Sequence, residues 1–234
     1  MEKQIDDLDS SKLEAVFKSL GPLLFNHMPQ APRQTYSLDK LEAAFKKLQA
    51  PLASAKAQGG LINPWAITGL KRDEVRNAAA LAGLWTYEFG GDASRLFLCN
   101  YLAIAIPKIN WKNELQQGYS VQTELSPLGD QSDRVDLVIE TSNILVGIEV
   151  KIDAGLGVDQ LERYTSSIKR RAVMSNLEPY IIFLAPFTSQ SPEVISTSWR
   201  DVERATKSEV HCKAVERTFV QHFIACFGAY VLAF

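Results

Sequence analysis

The chain has 234 residues, 46% of them hydrophobic and 22% charged, which is typical of one good-sized globular domain, alone or with a smaller extension. Its formal net charge of −2 excludes nucleic-acid binding through gross positive charge, although a local basic patch is compatible with that total. Three cysteines, Cys99, Cys212 and Cys226, are odd in number and lack CxxC spacing, so we expect a reducing, cytoplasmic setting with neither a disulfide framework nor a zinc knuckle.

Neither end of the sequence has the pattern of a membrane segment. The N-terminus, MEKQIDDLDSSKLEAVF, is acidic and polar and lacks the basic start and apolar centre of a secretory signal. The longest apolar run, residues 223–234, is well short of the roughly 20 residues that span a bilayer. We therefore expect no membrane association and a buried helix at the C-terminus.

Residues 1–58 read as a helical N-terminal extension. Good helix formers dominate residues 10–25 and 37–58, and a proline-bearing segment separates the two stretches. In the second stretch the apolar residues recur at i, i+3, i+7 and i+10, a spacing that forms one helical stripe. The stripe consists of Leu38, Leu41, Phe45 and Leu48. We expect it to pack on the rest of the chain.

Residues 61–234 read as one α/β domain. Helical spacing covers residues 72–85 and 93–106, and from about Gly118 the period becomes that of strands. Three short Val- and Ile-rich segments are followed by a helix and then by an apolar run, PYIIFLAPF, that is typical of a buried central strand. This order predicts an α/β sandwich in which a crossover helix leads to a parallel last strand.

Charged residues stand out in the second and third predicted strands. Alternation places Glu149 and Lys151 on one face of the third strand, and a hairpin through residues 141–143 would bring Asp136 near Glu149. Two carboxylates and an ammonium group are expensive to bury unless something compensates their charge. A divalent metal is one such compensation, and oxygen ligands are those that Mg²⁺ prefers. By itself an ExK pair more often lies on an ordinary strand surface.

These residues resemble the motif of the PD-(D/E)XK nuclease superfamily, which has the restriction-endonuclease-like fold. The resemblance rests on Asp136, on Glu149-Val-Lys151 and on the QLERY sequence that begins at Gln160. The helical segment 72–85 is similar to the first core helix of one bacterial branch, and the resemblance covers roughly residues 63–205. Val135 stands where the motif name has proline. The implied fold is an α/β sandwich with a central mixed sheet flanked by helices.

The resemblance implies a role for each residue of the motif. Asp136 and Glu149 would ligate Mg²⁺, with Mn²⁺ able to substitute, and the ion would activate water and offset phosphate charge. Lys151 would orient or help to deprotonate the attacking water. Glu74 would be the third metal-binding carboxylate, although a solvated carboxylate in a first helical turn is an equal alternative.

Two further groups of residues are candidates for contact with the substrate. Gln160 and Tyr164 share one face of the crossover helix and would brace the lysine or contact the substrate backbone. Lys169, Arg170 and Arg171 could bind phosphates, but three adjacent cations more often form a solvated helix end.

We therefore expect a metal-dependent nuclease that hydrolyses phosphodiester bonds, with DNA favoured over RNA. A cutter of both strands needs two sites, which is consistent with a homodimer. The alternative is a catalytically silent nuclease fold that acts through a protein partner docked on the N-terminal helices.

Overall fold

The computed structural model describes residues 37–59, 62–125, 135–153, 160–207 and 217–234. Internal contacts divide the chain into two units, Met1–Leu61 and Ile62–Phe234. The predicted helix at residues 10–25 lies outside the described residues. Among the described helices, none is long and apolar enough to cross a bilayer.

In the first unit, the described residues form one helix, α1 (Leu38–Ala57). Ser37 stands at its N-cap, and Pro51 lies inside the helix. None of the described side chains of α1 is buried: Leu38 is 76% exposed and Phe45 is 66% exposed. The stripe is therefore exposed along this helix, and its packing on the rest of the chain stays a prediction.

The second unit contains helices before, within and after its strands. The helices are α2 (Pro64–Ile67), α3 (Glu74–Trp85), α4 (Tyr87–Gly90), α5 (Asp92–Ala105), α6 (Trp111–Gln116), α7 (Gln160–Ser175), α8 (Trp199–Lys207) and α9 (Phe219–Val231). The strands are β1 (Tyr119–Leu125), β2 (Val135–Thr141), β3 (Ile144–Val150), β4 (Glu178–Leu184) and β5 (Ile195–Thr197).

The strands form one mixed sheet in the order β1-β2-β3-β4-β5. β1, β2 and β3 make an antiparallel meander, whereas β4 is parallel to β3 and β5 is parallel to β4. The parallel crossover through α7 is the one that the sequence predicts. The three-residue strand β5 has no equivalent among the predicted strands.

Helices cover both faces of the sheet, as in a restriction-endonuclease-like α/β fold. On one face, Ile144, Val146, Ile148 and Val150 of β3 join a large core with α3, α5, α8 and α9. On the other face, a smaller core packs α7 against Leu145 and residues of β4. The two sets of β3 residues follow the alternation predicted from the sequence.

Candidate active site

The β2–β3 hairpin brings Asp136 and Glu149 together. The antiparallel register pairs Leu137 with Ile148, and one step further along it Asp136 stands opposite Glu149. At this point a side chain takes over from the backbone ladder, because the Val150 N–H donates to Asp136 Oδ2 at 2.8 Å. Asp136 is thereby held in place by the strand that carries Glu149.

Lys151 lies between two carboxylates just beyond the end of β3. Its Nζ is 2.9 Å from Glu149 Oε1 and 3.3 Å from Glu74 Oε2. The Glu149 side chain is only 1% exposed, and that of Lys151 is 11% exposed. The site is therefore a largely buried cluster of charges at the end of the sheet where β2 begins and β3 ends.

Glu74 reaches this cluster from the first residue of α3. The Asp73 side chain caps the helix by accepting a hydrogen bond from the Arg76 N–H, so that Glu74 stands in the first turn. Its Oε1 accepts from the Ile152 N–H at 2.9 Å, and its Oε2 faces Lys151. Glu74 thus ties the start of α3 to the end of β3.

Burial raises the pKa values of both strand carboxyls, and the neighbouring Asp136 charge adds to this effect at Glu149. Burial is the largest cause of the raised pKa of Glu149 and the Asp136 charge is the second. Together they raise this pKa to about 8, although contact with Lys151 lowers it. Burial likewise raises the pKa of Asp136, although the Val150 N–H and Lys151 act in the other direction. Burial disfavours the Lys151 ammonium, but Glu149 and Glu74 outweigh that effect and raise the lysine pKa.

A tryptophan of α8 holds the backbone of the lysine. The Trp199 indole Nε1 donates to the Lys151 carbonyl at 3.0 Å, and the Lys151 N–H donates to the Leu184 carbonyl of β4 at 2.8 Å. Trp199 is buried in the large core. Sequence reasoning missed this residue, because only the packing of α8 on the sheet brings an indole 48 positions away to Lys151.

Arg72 clamps the segment that follows Lys151. Its guanidinium contacts the Asp153 carboxylate at 2.6 to 2.8 Å and donates to the Ala233 carbonyl at 2.7 Å. The Phe234 ring lies under the same guanidinium, 5.4 Å from its central carbon to the ring centroid. The C-terminal residues and Asp153 are therefore held by the same arginine. The sequence does not predict this role for Arg72, because a single arginine before a helix forms no recognisable motif.

Of the two helix residues predicted to help the lysine, Tyr164 lies on the same side of the sheet as Glu149. Tyr164 is buried in the smaller core, which packs on the face that carries Leu145 and, by alternation, Glu149. Gln160 is the first residue of α7, and its side chain lies outside the described residues. Their assigned roles stay predictions.

The basic triplet of α7 is largely engaged in ion pairs. Lys169 Nζ is 2.8 Å from Glu193 Oε2, and Arg171 Nη2 is 2.6 Å from Glu140 Oε2. Arg170 is exposed. Phosphate contact by Lys169 or Arg171 would require the exchange of an existing carboxylate contact, so nucleic-acid binding by this triplet stays a prediction.

The donor chemistry of the strand carboxylates suits a hard divalent cation. Within the described residues, no three His, Cys, Asp or Glu side chains are clustered as a ready-made cation site. Mg²⁺, however, is commonly held by one or two carboxylates and keeps several waters. Asp136 and Glu149 provide two adjacent carboxylates whose repulsion a cation would relieve. Glu74 is bound to Lys151 and to the backbone, so its role as third ligand stays a prediction.

Comparison with known families places this site in context. The family model of the PD-(D/E)XK nuclease superfamily matches residues 89–216, more than half of the chain. The matched stretch contains Asp136, Glu149 and Lys151 and begins after Glu74. No curated protein and no solved structure matches the chain.

Proposed function

The chain belongs to the PD-(D/E)XK nuclease superfamily, and from that premise we propose that it is a metal-dependent nuclease that hydrolyses phosphodiester bonds in DNA. The observation that carries the proposal is the convergence of Asp136, Glu149 and Lys151 at the end of the sheet where β2 begins and β3 ends. The cysteine pattern supports a cytoplasmic location as part of the same proposal.

In this proposal each residue of the cluster has a separate task. Asp136 and Glu149 would hold Mg²⁺ or Mn²⁺, and the ion would supply Lewis-acid stabilisation of phosphate charge and favour deprotonation of water. Lys151, held as an ammonium by its two glutamates, orients the water and a phosphate oxygen. The water oxygen forms a bond to phosphorus and releases its proton to bulk solvent, the P–O ester bond breaks, and the leaving oxygen takes up a proton from bulk solvent.

The test is cleavage by the purified chain of linear, nicked and single-stranded DNA and of RNA, with Mg²⁺, with Mn²⁺ and with EDTA. We expect metal-dependent cutting of DNA that falls at least about 100-fold in Asp136→Ala and in Lys151→Met. Glu178→Gln is the matched control, because this exposed glutamate lies at the far end of β4. Cutting that survives both site substitutions would exclude this site as the catalytic one.

The exposed stripe of α1 favours a second candidate. Leu38, Phe45 and Leu48 are each at least 49% exposed, as expected of a helix that binds a protein partner. In that case the nuclease fold is a binding module that acts through the N-terminal helices. Such a module would form its complex without cutting any of the nucleic acids in the test above.

A further inference from the structure

A cleft of about 900 Å³ opens between α7 and the segment that follows β4. Its helical wall includes Leu161, Thr165 and Ser166, and its other wall includes Phe187, Gln190 and Ser191. The volume lies within the range of sites that enclose small organic groups. Of the roles assigned above, only the predicted phosphate contact of Lys169 involves a residue of this cleft.

The wall formed by the segment after β4 is held by its own hydrogen bonds. The Ser189 N–H donates to Ser196 Oγ at 2.9 Å, which joins the segment to β5. The Ser191 N–H donates to Ser189 Oγ at 3.1 Å, and the Val194 N–H donates to the Ser191 carbonyl at 3.2 Å. The cleft is therefore formed before any ligand binds.

The cleft lies close to the charged cluster. The parallel register of β3 and β4 pairs Glu149 with Phe183, so the two side chains lie side by side on the same face. The Phe183 ring in turn contacts the Phe187 ring of the cleft, with centroids 5.5 Å apart. A single residue, Phe183, therefore links Glu149 of the charged cluster to the Phe187 wall of the cleft.

The chemistry of the walls suits a nucleobase and disfavours a phosphate. The Phe187 ring is 39% exposed and is available for stacking, while hydroxyl and amide groups around it can bind the polar edge of a base. The charged residues that line the cleft are Glu162, Lys169 and Glu193, and Lys169 is already bound to Glu193. Their sum is negative, so a phosphate would be repelled.

We propose that this cleft binds an unpaired base of the substrate strand beside the phosphate that is cut. The inference rests on the proposed nuclease function, because the strand must pass Asp136 and Glu149. It names the substrate class as nucleic acid with a single-stranded segment beside the cut. A base within a duplex would first have to be unpaired and unstacked, at a cost in free energy, so an unpaired base enters the cleft more easily.

The test measures binding separately from cutting. In the full-length Asp136→Asn chain, with EDTA present, we would titrate a single-stranded DNA oligonucleotide and the matching blunt duplex, each with 2-aminopurine as a fluorescent base. We expect Phe187→Ala to raise the Kd for the single strand about tenfold, because one stacking contact is lost, and to leave the Kd for the duplex nearly unchanged. Phe187→Leu keeps apolar volume without the ring and should behave like Phe187→Ala.

The matched control is Phe219→Ala, which removes a ring that is 77% exposed and does not line the cleft. It should leave both Kd values unchanged. The inference is overturned if Phe187→Ala and Phe187→Leu bind the single strand as tightly as their parent, or if they weaken duplex binding equally. These outcomes are independent of catalysis: cutting that survives the site substitutions rejects the proposed site, whereas an unchanged Kd rejects only the cleft.

Discussion

Glu114 and Glu149 are both buried carboxylates, and their surroundings move their pKa values in opposite directions. For Glu149, burial and the neighbouring Asp136 raise the pKa to about 8. For Glu114, burial acts in the same direction, but hydrogen bonds from Thr141 and Asn143 outweigh it and lower the pKa. Glu114 is thus a stable anion that holds the turn between β2 and β3, whereas the charge of Glu149 is disfavoured by burial and by Asp136 even though Lys151 lies 2.9 Å away.

Replacement of Glu114 by glutamine should make the stability of the chain less dependent on pH. Glu114 accepts hydrogen bonds from the Thr141 hydroxyl at 2.6 Å and from the Asn143 N–H at 3.1 Å. A folded-state pKa below the ordinary value of 4.5 adds stability above about pH 4.5, and this contribution is lost as the pH falls through the folded-state value. We expect Glu114→Gln to cost about 1 to 2 kcal/mol at pH 7 and less at pH values below 4.5.

Urea unfolding at neutral and acidic pH measures this difference. Glu88→Gln is the control, because Glu88 is exposed, and it should leave the free energy of unfolding at pH 7 nearly unchanged. A destabilisation by Glu114→Gln that stays constant across the pH range would show that the charge of Glu114 does not support the turn.

Trp199 is expected to act on Lys151 by positioning its backbone. Trp199→Phe removes the indole N–H from the Lys151 carbonyl while it keeps an aromatic ring in the core. We expect a loss of about 1 kcal/mol in stability and, because the lysine is less well held, a fall of about tenfold in kcat with little change in KM. Thermal unfolding and cleavage kinetics measure the two effects.

Trp111 provides the matched control for Trp199. It is equally buried, and its Nε1 donates to the Ile106 carbonyl at the same distance of 3.0 Å, but its bond lies within the helical part of the core. Trp111→Phe should lose similar stability and keep its kcat. Equal losses of kcat in the two variants would contradict a specific role for Trp199.

At the scale of elements, the contact between β3 and α7 depends on a glycine. A Cβ at Gly147 would lie 2.6 Å from Cγ1 of Ile168, which is fully buried in the smaller core and has no room to move. The missing side chain allows α7 to lie directly over the strand that carries Glu149 and Lys151. The packing of α7 on β3 at Gly147 therefore also affects the position of the site residues that β3 carries.

Gly147→Ala should destabilise the second unit by about 1 to 3 kcal/mol, because the added methyl overpacks the interface. In an Ile168→Ala background the same change should cost almost nothing, so that the two substitutions are strongly non-additive. Gly83→Ala in α3 is the control, since a Cβ there meets nothing within 4 Å; we expect it to be neutral or to stabilise by up to about 1 kcal/mol. Additive losses in urea unfolding would contradict the proposed steric contact.

At the scale of the whole molecule, the hydrophobic core belongs to the second unit. Every described buried hydrophobic residue lies between Trp65 and Val231, and both core clusters fall in that range. The predicted division into an extension of residues 1–58 and a nuclease-like domain of residues 61–234 stays a prediction, as do the homodimer and the protein partner. Because the described hydrophobic core lies in the second unit, we expect a chain that contains only this unit to keep its stability.

A chain that begins at Ile62 should unfold cooperatively at a Tm close to that of the full chain and should retain cleavage. A chain that begins at Phe89, where the family match begins, should lose both properties, because it lacks Glu74 and the fully buried Leu81 and Trp85. Calorimetry and the cleavage assay measure the two outcomes. Full activity in the shorter chain would show that α3 is dispensable, and loss of activity in the longer one would show that the extension takes part.

Local patterns in the sequence were enough to predict four of the five described strands and the proximity of Asp136, Glu149 and Lys151. Alternation in β3 separates Glu149 from the apolar residues of the large core, and a short turn is enough to align Asp136 with it, since a hairpin register depends on local geometry. The crossover through α7 follows from the same local patterns. β5 was missed, because three residues carry too little periodicity to predict a strand.

The groups that surround the site come from distant parts of the chain, and local sequence patterns could not predict them. The approach of Trp199 to the lysine backbone, the clamp from Arg72 to the C-terminus and the cleft beside Phe187 all join segments that are far apart in the chain. Such contacts depend on how helices pack on the sheet, and packing is set by the shapes of many side chains together. Periodicity describes one element at a time, so it predicted the charged residues of the site but not the groups that hold them.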